Sequence, residues 1–376
     1  MKKTLNVGLI GYNFMGRAHT HGLKNLYMMA DDLQVTPRLH TICGRNEGEV
    51  ERVAGKLGWE KWSTSWESVV DDPEIDIIDI ASPGNTHCEI AVAAAQKGKH
   101  ILCEKPLATT LGEAEQMLAA VESGGAMHLV NFNYRRVPAV MLAKRLIEEG
   151  RLGAIISFKG FYQQDWTLDD ELPFIWRFDK AVAGAGSMAD KGSHIIDLAR
   201  YLIGEFEEVS AAMEIFVKER PIAGGGQKRV VTTDDAAVFT ARFACGALGV
   251  FETNRMSSGR KNGLWFEVNG TEGSVRFELE RLNELQVYSR RDPEDCQGFR
   301  QVLVTQASHP YIRYWWPPGH LIGWEHTFTH QFYELFRAIE TGQLPSPNFR
   351  DGLVCQKVIE AINQAAVEKR WVTIDR

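Results

Sequence analysis

The sequence predicts an α/β protein in which a doubly wound parallel sheet is followed by a second domain built on an antiparallel sheet. Three observations predict this class. Short apolar runs alternate with helical patterns up to about residue 130, a glycine turn joins the first run to the first helix, and hairpin turns separate the later strand-like runs. A chain of 376 residues also exceeds the usual size of a single core. We therefore expect a first domain over residues 1–130 and a second over residues 131–376.

The composition is that of an ordinary globular protein, with 44% hydrophobic residues, 24% charged residues and a net charge of -7. It contains no long basic tract, which argues against a nucleic-acid partner, and no apolar stretch of membrane-spanning length. The six cysteines are scattered without a CxxC spacing, so we expect reduced thiols. These features predict a cytoplasmic protein with neither a nucleic-acid nor a membrane partner.

The first element is a buried strand, Leu5–Ile10, that leads through a glycine turn into a helix ending near Met29. Gly11 suits the tight turn, Gly16 suits close packing of helix on strand, and the helix N-terminus offers N–H groups to a pyrophosphate. Asn13 stands where such turns usually have their middle glycine, and asparagine tolerates a positive φ better than most residues. The residues expected to bind the cofactor here are Gly11, Tyr12, Asn13, Phe14 and Met15.

The pattern continues as alternating strands and helices. Strands and helices of these lengths form a parallel sheet covered on both faces, and such sheets bind ligands at the carboxyl ends of their strands. The further strands are predicted at residues 39–43, 60–63, 75–81, 100–103 and 127–131, and the helices at 47–57, 86–97 and 112–121.

Polar residues follow several of these strands. Arg45 follows the second strand, where an acidic residue would bind the ribose of NAD. It suits the 2′-phosphate of NADP, and the alternative is a solvated arginine. The loop after the 75–81 strand supplies Ser82, Asn85 and His87 as cofactor contacts, with a helix N-cap and an exposed histidine as the alternative.

The segment Glu104-Lys105-Pro106 follows the 100–103 strand. A lysine at a strand end, beside a carboxylate and a proline, can direct its ammonium group at a substrate oxygen. The alternative is a surface lysine in a salt bridge. We expect Glu104 and Lys105 to contact the cofactor and Lys105 to be catalytic.

The stretch before Gly204 predicts a helix that begins near Asp190. Its spacing places Asp190, His194 and Asp197 on one face, because residues three and four apart are neighbours on a helix. A carboxylate beside a histidine holds one tautomer and stabilises the charged form, which suits acid–base chemistry near neutral pH. The alternative is that Asp190 caps the helix and His194 is a core residue. No metal site is predicted, since a metal on this helix would leave the glycine turn and Lys105 unexplained.

Polar and aromatic residues that suit a sugar lie after the sixth strand and just before this helix. Rings stack on the C–H faces of sugars, while amides and carboxylates bind hydroxyls. Core tryptophans and polar turn residues are the alternative at each position. The predicted substrate contacts, besides Asp190 and His194, are Tyr134, Arg135, Gln164, Asp165, Trp176 and Arg177.

The remainder of the chain predicts hairpins. Strand-like runs are separated by short glycine turns, which favour an antiparallel sheet. One face packs on helices and the other often pairs subunits, so we expect a homodimer or homotetramer. An aromatic segment at 309–320 either packs at a subunit interface or lines the substrate cleft. The strand-like runs are 155–163, 209–217, 236–243, 247–253, 265–268, 274–278 and 285–289, and closing helices are predicted at 324–341 and 351–368.

Four segments together resemble the Gfo/Idh/MocA oxidoreductases, namely GLIGYNFMGRAH, SPGNTH, CEKPLA and DKGSHIIDLARYLIGE. The resemblance runs from residue 5 to about residue 204 and is weaker beyond. It implies a Rossmann domain and a second domain with a large, open, mostly antiparallel sheet. It also implies that Lys105 is the active-site lysine and that Asp190 and His194 are the catalytic pair. Within the family, VNFNYRRVPA and WEHTF look most like bacterial sugar and glycoside dehydrogenases.

Motifs and resemblance together predict an NAD(P)-dependent dehydrogenase that transfers hydride between nicotinamide and a secondary hydroxyl of a sugar, glycoside or related polyol. His194 takes the hydroxyl proton, Asp190 orients His194, and Lys105 donates to the oxygen. NAD is the expected cofactor because similar family members use it, and NADP is possible through Arg45. The alternatives are a glycoside hydrolase that uses NAD for transient ring oxidation, an inositol dehydrogenase, and a cofactor-binding protein without turnover.

Overall fold

The computed structural model describes residues 2–29 and 31–375. Contacts divide the chain into two compact units, which we call unit 1 (residues 1–136 and 322–353) and unit 2 (residues 137–321 and 354–376). Unit 2 differs from the predicted second domain of 131–376, because residues 322–353 pack with the first part of the chain. In particular, the helix His326–Thr341 lies against the helix Phe14–Met29.

The elements are numbered in chain order. The strands are β1 (Lys3–Ile10), β2 (Val35–Cys43), β3 (Lys61–Ser63), β4 (Ile77–Ile80), β5 (His100–Cys103), β6 (His128–Val130), β7 (Ile155–Gln163), β8 (Phe206–Glu214), β9 (Glu219–Pro221), β10 (Lys228–Val230), β11 (Ala236–Phe243), β12 (Leu248–Asn254), β13 (Gly263–Gly270), β14 (Gly273–Glu278), β15 (Glu284–Ser289), β16 (Arg300–Leu303) and β17 (Val372–Thr373). The helices are α1 (Phe14–Met29), α2 (Glu47–Leu57), α3 (Trp66–Asp71), α4 (His87–Gln96), α5 (Leu111–Gly124), α6 (Pro138–Glu148), α7 (Lys180–Ala183), α8 (Ser193–Ile203), α9 (His326–Thr341) and α10 (Phe349–Glu368).

Unit 1 is built on a parallel sheet whose six strands, counted within the described residues, run in the order β3-β2-β1-β4-β5-β6. The chain starts in the middle of the sheet, builds one edge, and then crosses over to build the other. This is the doubly wound arrangement that the sequence predicts, and it confirms the fold class of the first part.

Local sequence signals explain several element bounds in unit 1. α2 begins after Asn46, whose side chain accepts the Glu49 N–H, and ends at Gly58, which has a φ of +73°. Thr110 and Glu113 form a capping box at the start of α5. α3 was not predicted, because a helix of 6 residues is too short to show a helical period.

Unit 2 is built on a sheet with nine strands among the described residues, in the order β16-β15-β14-β13-β7-β12-β11-β8-β17. Neighbouring strands are antiparallel, except that β7 and β12 run parallel. This confirms the predicted large, mostly antiparallel sheet. A separate hairpin pairs β9 with β10.

α8 packs over β7 in unit 2. Gly160 on β7 permits this approach, because a Cβ at that position would meet the Ile195 side chain of α8. One π-helical turn, Met188–Gly192, precedes α8, so the predicted helix start at Asp190 falls inside that turn. Alternate residues of the strands supply an aromatic core. Its phenylalanines include Phe158, Phe206, Phe239, Phe243, Phe251 and Phe266.

None of the helices in the described part of the chain is long and apolar enough to cross a membrane. The six cysteines are free thiols. Burial, together with the nearby Glu67 carboxylate, raises the pKa of Cys43 to about 12, so this thiol stays protonated at neutral pH.

Candidate active site

The glycine turn between β1 and α1 has close contacts that exclude side chains. Gly11 has a φ of +111°, its N–H donates to the Cys43 carbonyl at 3.0 Å, and a Cβ on it would run into the backbone of Ala81. A Cβ on Gly16 would overlap the Gly11 carbonyl oxygen. Both glycines therefore let α1 begin close to the ends of β2 and β4, with its first N–H groups at the carboxyl edge of the sheet.

Asn13 does not need the conformational tolerance on which the sequence analysis relied. Among the described non-glycine residues only Tyr311 and Lys369 have a positive φ, so Asn13 has an ordinary backbone conformation. Its side chain is exposed, and its carbonyl accepts the Arg17 N–H at 3.0 Å. Met15, two residues further along, is half-buried. Asparagine therefore stands in the turn without backbone strain.

Two aromatic rings flank the turn. The Tyr12 ring packs against the backbone of Gly44, where a Cβ would overlap it, and so lies at the end of β2. Phe14 is 68% exposed and stacks on Trp324, with ring centroids 5.5 Å apart. Arg45 is exposed at the same strand end. The predicted cofactor residues of β1 and β2 thus lie together at one edge of the sheet.

His87 is buried, so the alternative of an exposed histidine is wrong. Its Nε2 lies 3.0 Å from the Ser82 carbonyl oxygen and its Nδ1 lies 3.1 Å from the Pro106 carbonyl oxygen. Burial lowers the pKa of His87, so the neutral ring donates to one of these carbonyls at a time. His87 therefore connects the loop after β4 with the turn after β5. In that loop the Ser82 and Thr86 hydroxyls are 2.6 Å apart, and Asn85 is exposed.

Glu104 and Lys105 stand at the end of β5. Glu104 is buried, Lys105 is half-buried, and the Lys105–Pro106 peptide bond is cis. The Lys105 N–H donates to Glu104 Oε2 at 3.1 Å. Burial alone would raise the pKa of Glu104, but the hydrogen bond and charge of His19 outweigh it and lower that pKa below its usual value. Glu104 is thus a buried carboxylate that holds the backbone of Lys105.

Tyr134 and Arg135 lie in a 3-10 turn after β6, and both are buried. Arg135 donates to the Ser346 hydroxyl at 2.9 Å and pairs with Asp351 at 3.4 Å. These contacts fix the turn inside unit 1. They give Arg135 a structural role, whereas the substrate contact of both residues stays a prediction.

In unit 2, Asp190 lies in the π-helical turn and His194 in the first turn of α8. The alternative that Asp190 caps a helix is wrong, because Asp190 is the third residue of the π turn Met188–Gly192 and does not stand at an N-cap position. π turns are frequent at functional sites. The Asp190 side chain is 36% exposed. His194 is buried, with its ring centroid 6.0 Å from that of Tyr162.

A buried lysine next to this pair was missed by the sequence analysis. Lys191 has a side chain only 1% exposed, and its ammonium nitrogen lies 3.2 Å from Asp190 Oδ2. It also lies 5.8 Å from the centre of the Trp166 ring. Asp197, one turn along α8, is fully buried. The charge of Asp190 is therefore balanced from within its own turn.

Asp234 anchors the segment that leads into the π turn, and the sequence analysis missed it as well. One carboxylate oxygen accepts the Gly186 N–H at 2.6 Å and the other accepts the Met188 N–H at 2.8 Å. The Asp234 carbonyl accepts the Ser187 N–H at 2.9 Å. A Cβ on Gly186 would overlap this carbonyl, so the glycine is needed for the approach.

The other predicted substrate residues of unit 2 fall into two pairs. Gln164 donates a 2.9 Å hydrogen bond to the loop 259–262, and Asp165 makes a 2.7 Å ion pair with the same loop. Trp176 is 38% exposed, and the Arg177 guanidinium carbon lies 4.4 Å from the centre of its ring. The second pair therefore presents an aromatic surface and a cation side by side.

Comparison with known proteins decides the family. Residues 5–132 match the oxidoreductase family with an NAD-binding Rossmann fold, and residues 140–276 match the GFO/IDH/MocA C-terminal domain. The chain belongs to the Gfo/Idh/MocA oxidoreductases. It is 42% identical to levoglucosan dehydrogenase of Pseudarthrobacter phenanthrenivorans over 99% of this chain and 98% of that protein. It is 36% identical to the scyllo-inositol 2-dehydrogenase (NAD(+)) of Bacillus subtilis over 82% of this chain and 86% of that protein.

Solved structures agree with this assignment. The chain superimposes on levoglucosan dehydrogenase in complex with NADH with a TM-score of 0.97, at 43% identity and full coverage of both chains. An oxidoreductase domain protein from Kribbella flavida also gives a TM-score of 0.97, at 44% identity and full coverage of both chains. These findings confirm the resemblance on which the sequence analysis relied.

As a Gfo/Idh/MocA member the chain is an NAD-dependent oxidoreductase, which confirms the predicted enzyme class and cofactor. The structure fits a dinucleotide, because Gly11 and Gly16, where a Cβ would clash with the Ala81 backbone and the Gly11 carbonyl oxygen, bring the start of α1 close to the strand ends and form a cradle there. The N-terminus of the 16-residue α1 stands at the same cradle and provides N–H groups for phosphates.

Three further polar residues of unit 1 were missed, and all contact Glu104 or its partners. They are His19 on α1, Asp79 on β4 and Asn131 after β6. Asp79 gave a detectable signal, because it interrupts an apolar strand where a charge needs a partner. His19 lies three residues after Gly16, but only the turn residues before it were interpreted.

Proposed function

We propose that this enzyme oxidises a secondary hydroxyl of a sugar, anhydrosugar or glycoside and uses NAD as its redox partner. The observation that carries the proposal is the 42% identity to levoglucosan dehydrogenase over nearly the whole of both chains. A solved structure of a levoglucosan dehydrogenase contains NADH and levoglucosan, and this chain matches it with a TM-score of 0.96 at 43% identity. An anhydrosugar is therefore the first substrate to test.

His194 acts as the general base in this proposal. Imidazole is the side chain best suited to take a hydroxyl proton near neutral pH. Asp190 precedes it by four residues and orients the ring, as a carboxylate does for a histidine base. The burial of His194 and the placement of Asp190 in a π turn support these roles.

Lys105 acts as the electrophilic partner. An ammonium group that donates to the reacting oxygen stabilises negative charge as the proton leaves. Its backbone is held by the buried Glu104 at 3.1 Å, which supports a fixed placement of the side chain. NAD, when bound, supplies the hydride acceptor.

The turn and strand ends of unit 1 would hold the cofactor. The N–H groups that follow Gly11 suit the pyrophosphate, and the exposed Arg45 suits a ribose or a 2′-phosphate. The proposed cofactor residues are Gly11, Tyr12, Asn13, Phe14, Met15, Arg45, Ser82, Asn85, His87, Glu104 and Lys105.

The substrate would meet aromatic and polar groups. The exposed Trp176 ring, with Arg177 against it, suits the C–H face of a sugar. Gln164 and Asp165 suit hydroxyl groups, and Tyr134 and Arg135 complete the proposed set.

We also propose that the enzyme is a homodimer or homotetramer in the cytoplasm. Exposed apolar side chains on neighbouring strands support self-association, since they lie on the sheet face away from the phenylalanine core. These are Val238 on β11 and Leu248 and Val250 on β12.

A substrate panel tests the proposal. Levoglucosan, L-sorbose, several glycosides and the inositols are each incubated with NAD or NADP while the absorbance of reduced nicotinamide is followed. We expect NADH to form with at least one sugar or anhydrosugar. Turnover with inositols alone would favour an inositol dehydrogenase, for which the relative at 36% identity is the reason to test. Release of aglycone without NADH would instead indicate redox-neutral glycoside cleavage.

A further inference from the structure

His19 is buried without access to solvent and holds a carboxylate on each ring nitrogen. Its Nδ1 lies 2.8 Å from Asp79 Oδ1 and its Nε2 lies 2.9 Å from Glu104 Oε1. A neutral imidazole donates from one nitrogen only, whereas the imidazolium donates from both. Asn131 Nδ2 also lies 3.0 Å from His19 Nε2, but it contacts Glu104 Oε1 as well, so the amide can donate to Glu104 when Nε2 carries a proton. With the amide donating in that way, the contacts describe a charged His19 between two carboxylates.

The electrostatics of His19 and Glu104 agree with this charge state, whereas burial, the largest influence on Asp79, raises the pKa of that carboxyl group above its usual value. Burial alone would lower the pKa of His19, but the Asp79 and Glu104 carboxylates outweigh it and raise the pKa to about 10. The rings of Phe328 and Phe332 pack on His19 at 5.4 Å and 5.8 Å and keep water away. His19 thus carries a proton throughout the physiological range.

The network ends at the backbone of Lys105. Glu104 Oε1 accepts from His19 and from the Asn131 amide, while Oε2 accepts the Lys105 N–H at 3.1 Å. Both carboxylate oxygens are therefore occupied, so the Glu104 side chain is fixed from two directions. A shift of this carboxylate would shift the residue that follows it.

A purely stabilising role would not require these charges. Apolar residues of similar volume usually stabilise a core as well as a buried ion pair does, because two desolvated charges cost free energy. Here one cation and two anions are buried together, and they join α1, β4 and β5 at the strand ends. Such an arrangement suits the placement of a neighbouring group.

We propose that His19 is a positioning residue for Lys105, acting as an imidazolium that fixes Glu104 and, through Glu104, the backbone from which the lysine side chain extends. This inference rests on the catalytic role that the proposed function gives to Lys105. His19 itself contacts neither substrate nor cofactor in this proposal.

Two conservative substitutions separate its contacts. The amide of glutamine reaches the position of histidine Nε2, so His19→Gln keeps the donor to Glu104. The shorter asparagine reaches the position of Nδ1, so His19→Asn keeps the donor to Asp79 and loses the one to Glu104. We expect kcat with NAD and levoglucosan to fall about 30- to 100-fold in His19→Asn and less than about fivefold in His19→Gln. NADH affinity, measured by fluorescence, should change less than about threefold in both.

A buried histidine outside the network provides the control. His330 is also fully buried, and its Nδ1 lies 2.9 Å from the Arg136 carbonyl oxygen. His330→Gln should lower the unfolding temperature without lowering kcat. If kcat in the two His19 variants follows their unfolding temperatures, as in a structural role, the proposal is wrong.

The wild-type enzyme gives a second readout that does not depend on a variant folding. In protein labelled with 15N-histidine at pH 8, both His19 nitrogens should show the shifts of a protonated ring. A neutral His19, with one unprotonated nitrogen accepting from Asn131, would overturn the proposal. Lys105→Met separates the two levels of inference. If it keeps normal turnover, the proposed catalytic role fails; if it loses turnover while His19→Asn keeps it, only the positioning role fails.

Discussion

The two units hold their proposed catalytic groups by different means. In unit 1, charged side chains hold the backbone of Lys105. The Glu104 carboxylate accepts the Lys105 N–H, and His19 in turn holds that carboxylate. In unit 2, a single carboxylate, Asp234, binds the backbone N–H groups of the segment that enters the π turn at 2.6 Å and 2.8 Å. The first arrangement depends on the charge of a histidine, whereas the second depends on the path of the backbone and on one carboxylate whose pKa is raised by burial.

This difference indicates how each half should respond to change. The stability of a network of ionised side chains is sensitive to pH and to the loss of any one charge, because the remaining charges stay buried. A carboxylate that accepts two backbone N–H groups is sensitive to the path of the chain, and Gly186 must stay a glycine for it.

The largest effect on kcat is expected at the two proposed catalytic side chains, one in each unit. Lys105→Met and His194→Ala should each lower kcat by roughly 10²- to 10⁴-fold, because they remove the electrophile and the base. NADH affinity should be nearly unchanged in both. Lys61→Met, which removes an exposed lysine of unit 1 paired with Glu74, is the control and should leave kcat unchanged. Near-normal turnover in either active-site variant would show that its assigned role is wrong.

The stability of unit 1 should depend on pH through its buried histidines. The pKa of His19 is raised from 6.5 to about 10 in the folded protein, so its contribution is complete below pH 6.5 and is lost as pH rises towards 10. Burial lowers the pKa of His128 to about 4 and that of His330 to about 3. Their contributions are complete above pH 6.5 and are lost as pH falls towards those values.

Thermal unfolding measured from pH 4 to pH 10 tests this prediction. His330→Gln should reduce the loss of unfolding free energy at acid pH by an amount on the order of a few kcal/mol at pH 4. Its stability at alkaline pH should follow the wild type. His19→Gln should flatten the alkaline side. An acid side that is unchanged in His330→Gln would contradict the assignment of a neutral buried ring.

A smaller effect is expected at Asp234, the backbone anchor of unit 2. Asp234→Asn replaces one accepting oxygen by an NH₂ group, so one of the two N–H groups of Gly186 and Met188 loses its partner. We expect a loss of about 1–3 kcal/mol in unfolding free energy and about tenfold in kcat. Asp179→Asn is the matched control, because Asp179 caps the short α7 and asparagine also caps helices. Unchanged kcat in Asp234→Asn would show that this anchor does not place the base.

The smallest effect is expected at Arg45. It is exposed, and it stands where an acidic residue would select NAD. Arg45→Ala should lower kcat/KM for NADP about three- to tenfold and change the value for NAD less than about twofold. An equal loss with both cofactors would show that Arg45 does not distinguish them.

The sequence predicted the elements with strong periodic or turn signals. α2 and β5 have the predicted bounds, and the glycine turn and the hairpins of unit 2 are where their glycines indicated. Within the candidate site, only residues in short motifs, such as Lys105, Asp190 and His194, were assigned roles, and those roles stay predictions. His19, Lys191 and Asp234 were missed, because their partners are distant in sequence and the alternation of apolar residues carries no information about such pairs.

The same lack of information about contacts distant in sequence explains why residues 322–353 were assigned to the second domain. Their helical period was visible, but the surface on which α9 packs is set by tertiary contact with α1 rather than by order along the chain. The π turn before α8 was also invisible, since one extra residue in a turn hardly changes the apolar pattern.

The parallel pairing of β7 with β12 in unit 2 affects how this chain folds during its synthesis. β7 lies between β12 and β13, so Gln163 pairs with both Asn254 and Gly263. The hairpins β11–β12 and β13–β14 can form as soon as they leave the ribosome, but the strand that joins them was synthesised much earlier. Closing so long a loop is slow, and until then β7 has two open edges. Pairing of β7 with both hairpins completes the sheet. A folding defect at this step would leave the edges of β7 exposed and would cause aggregation through β7.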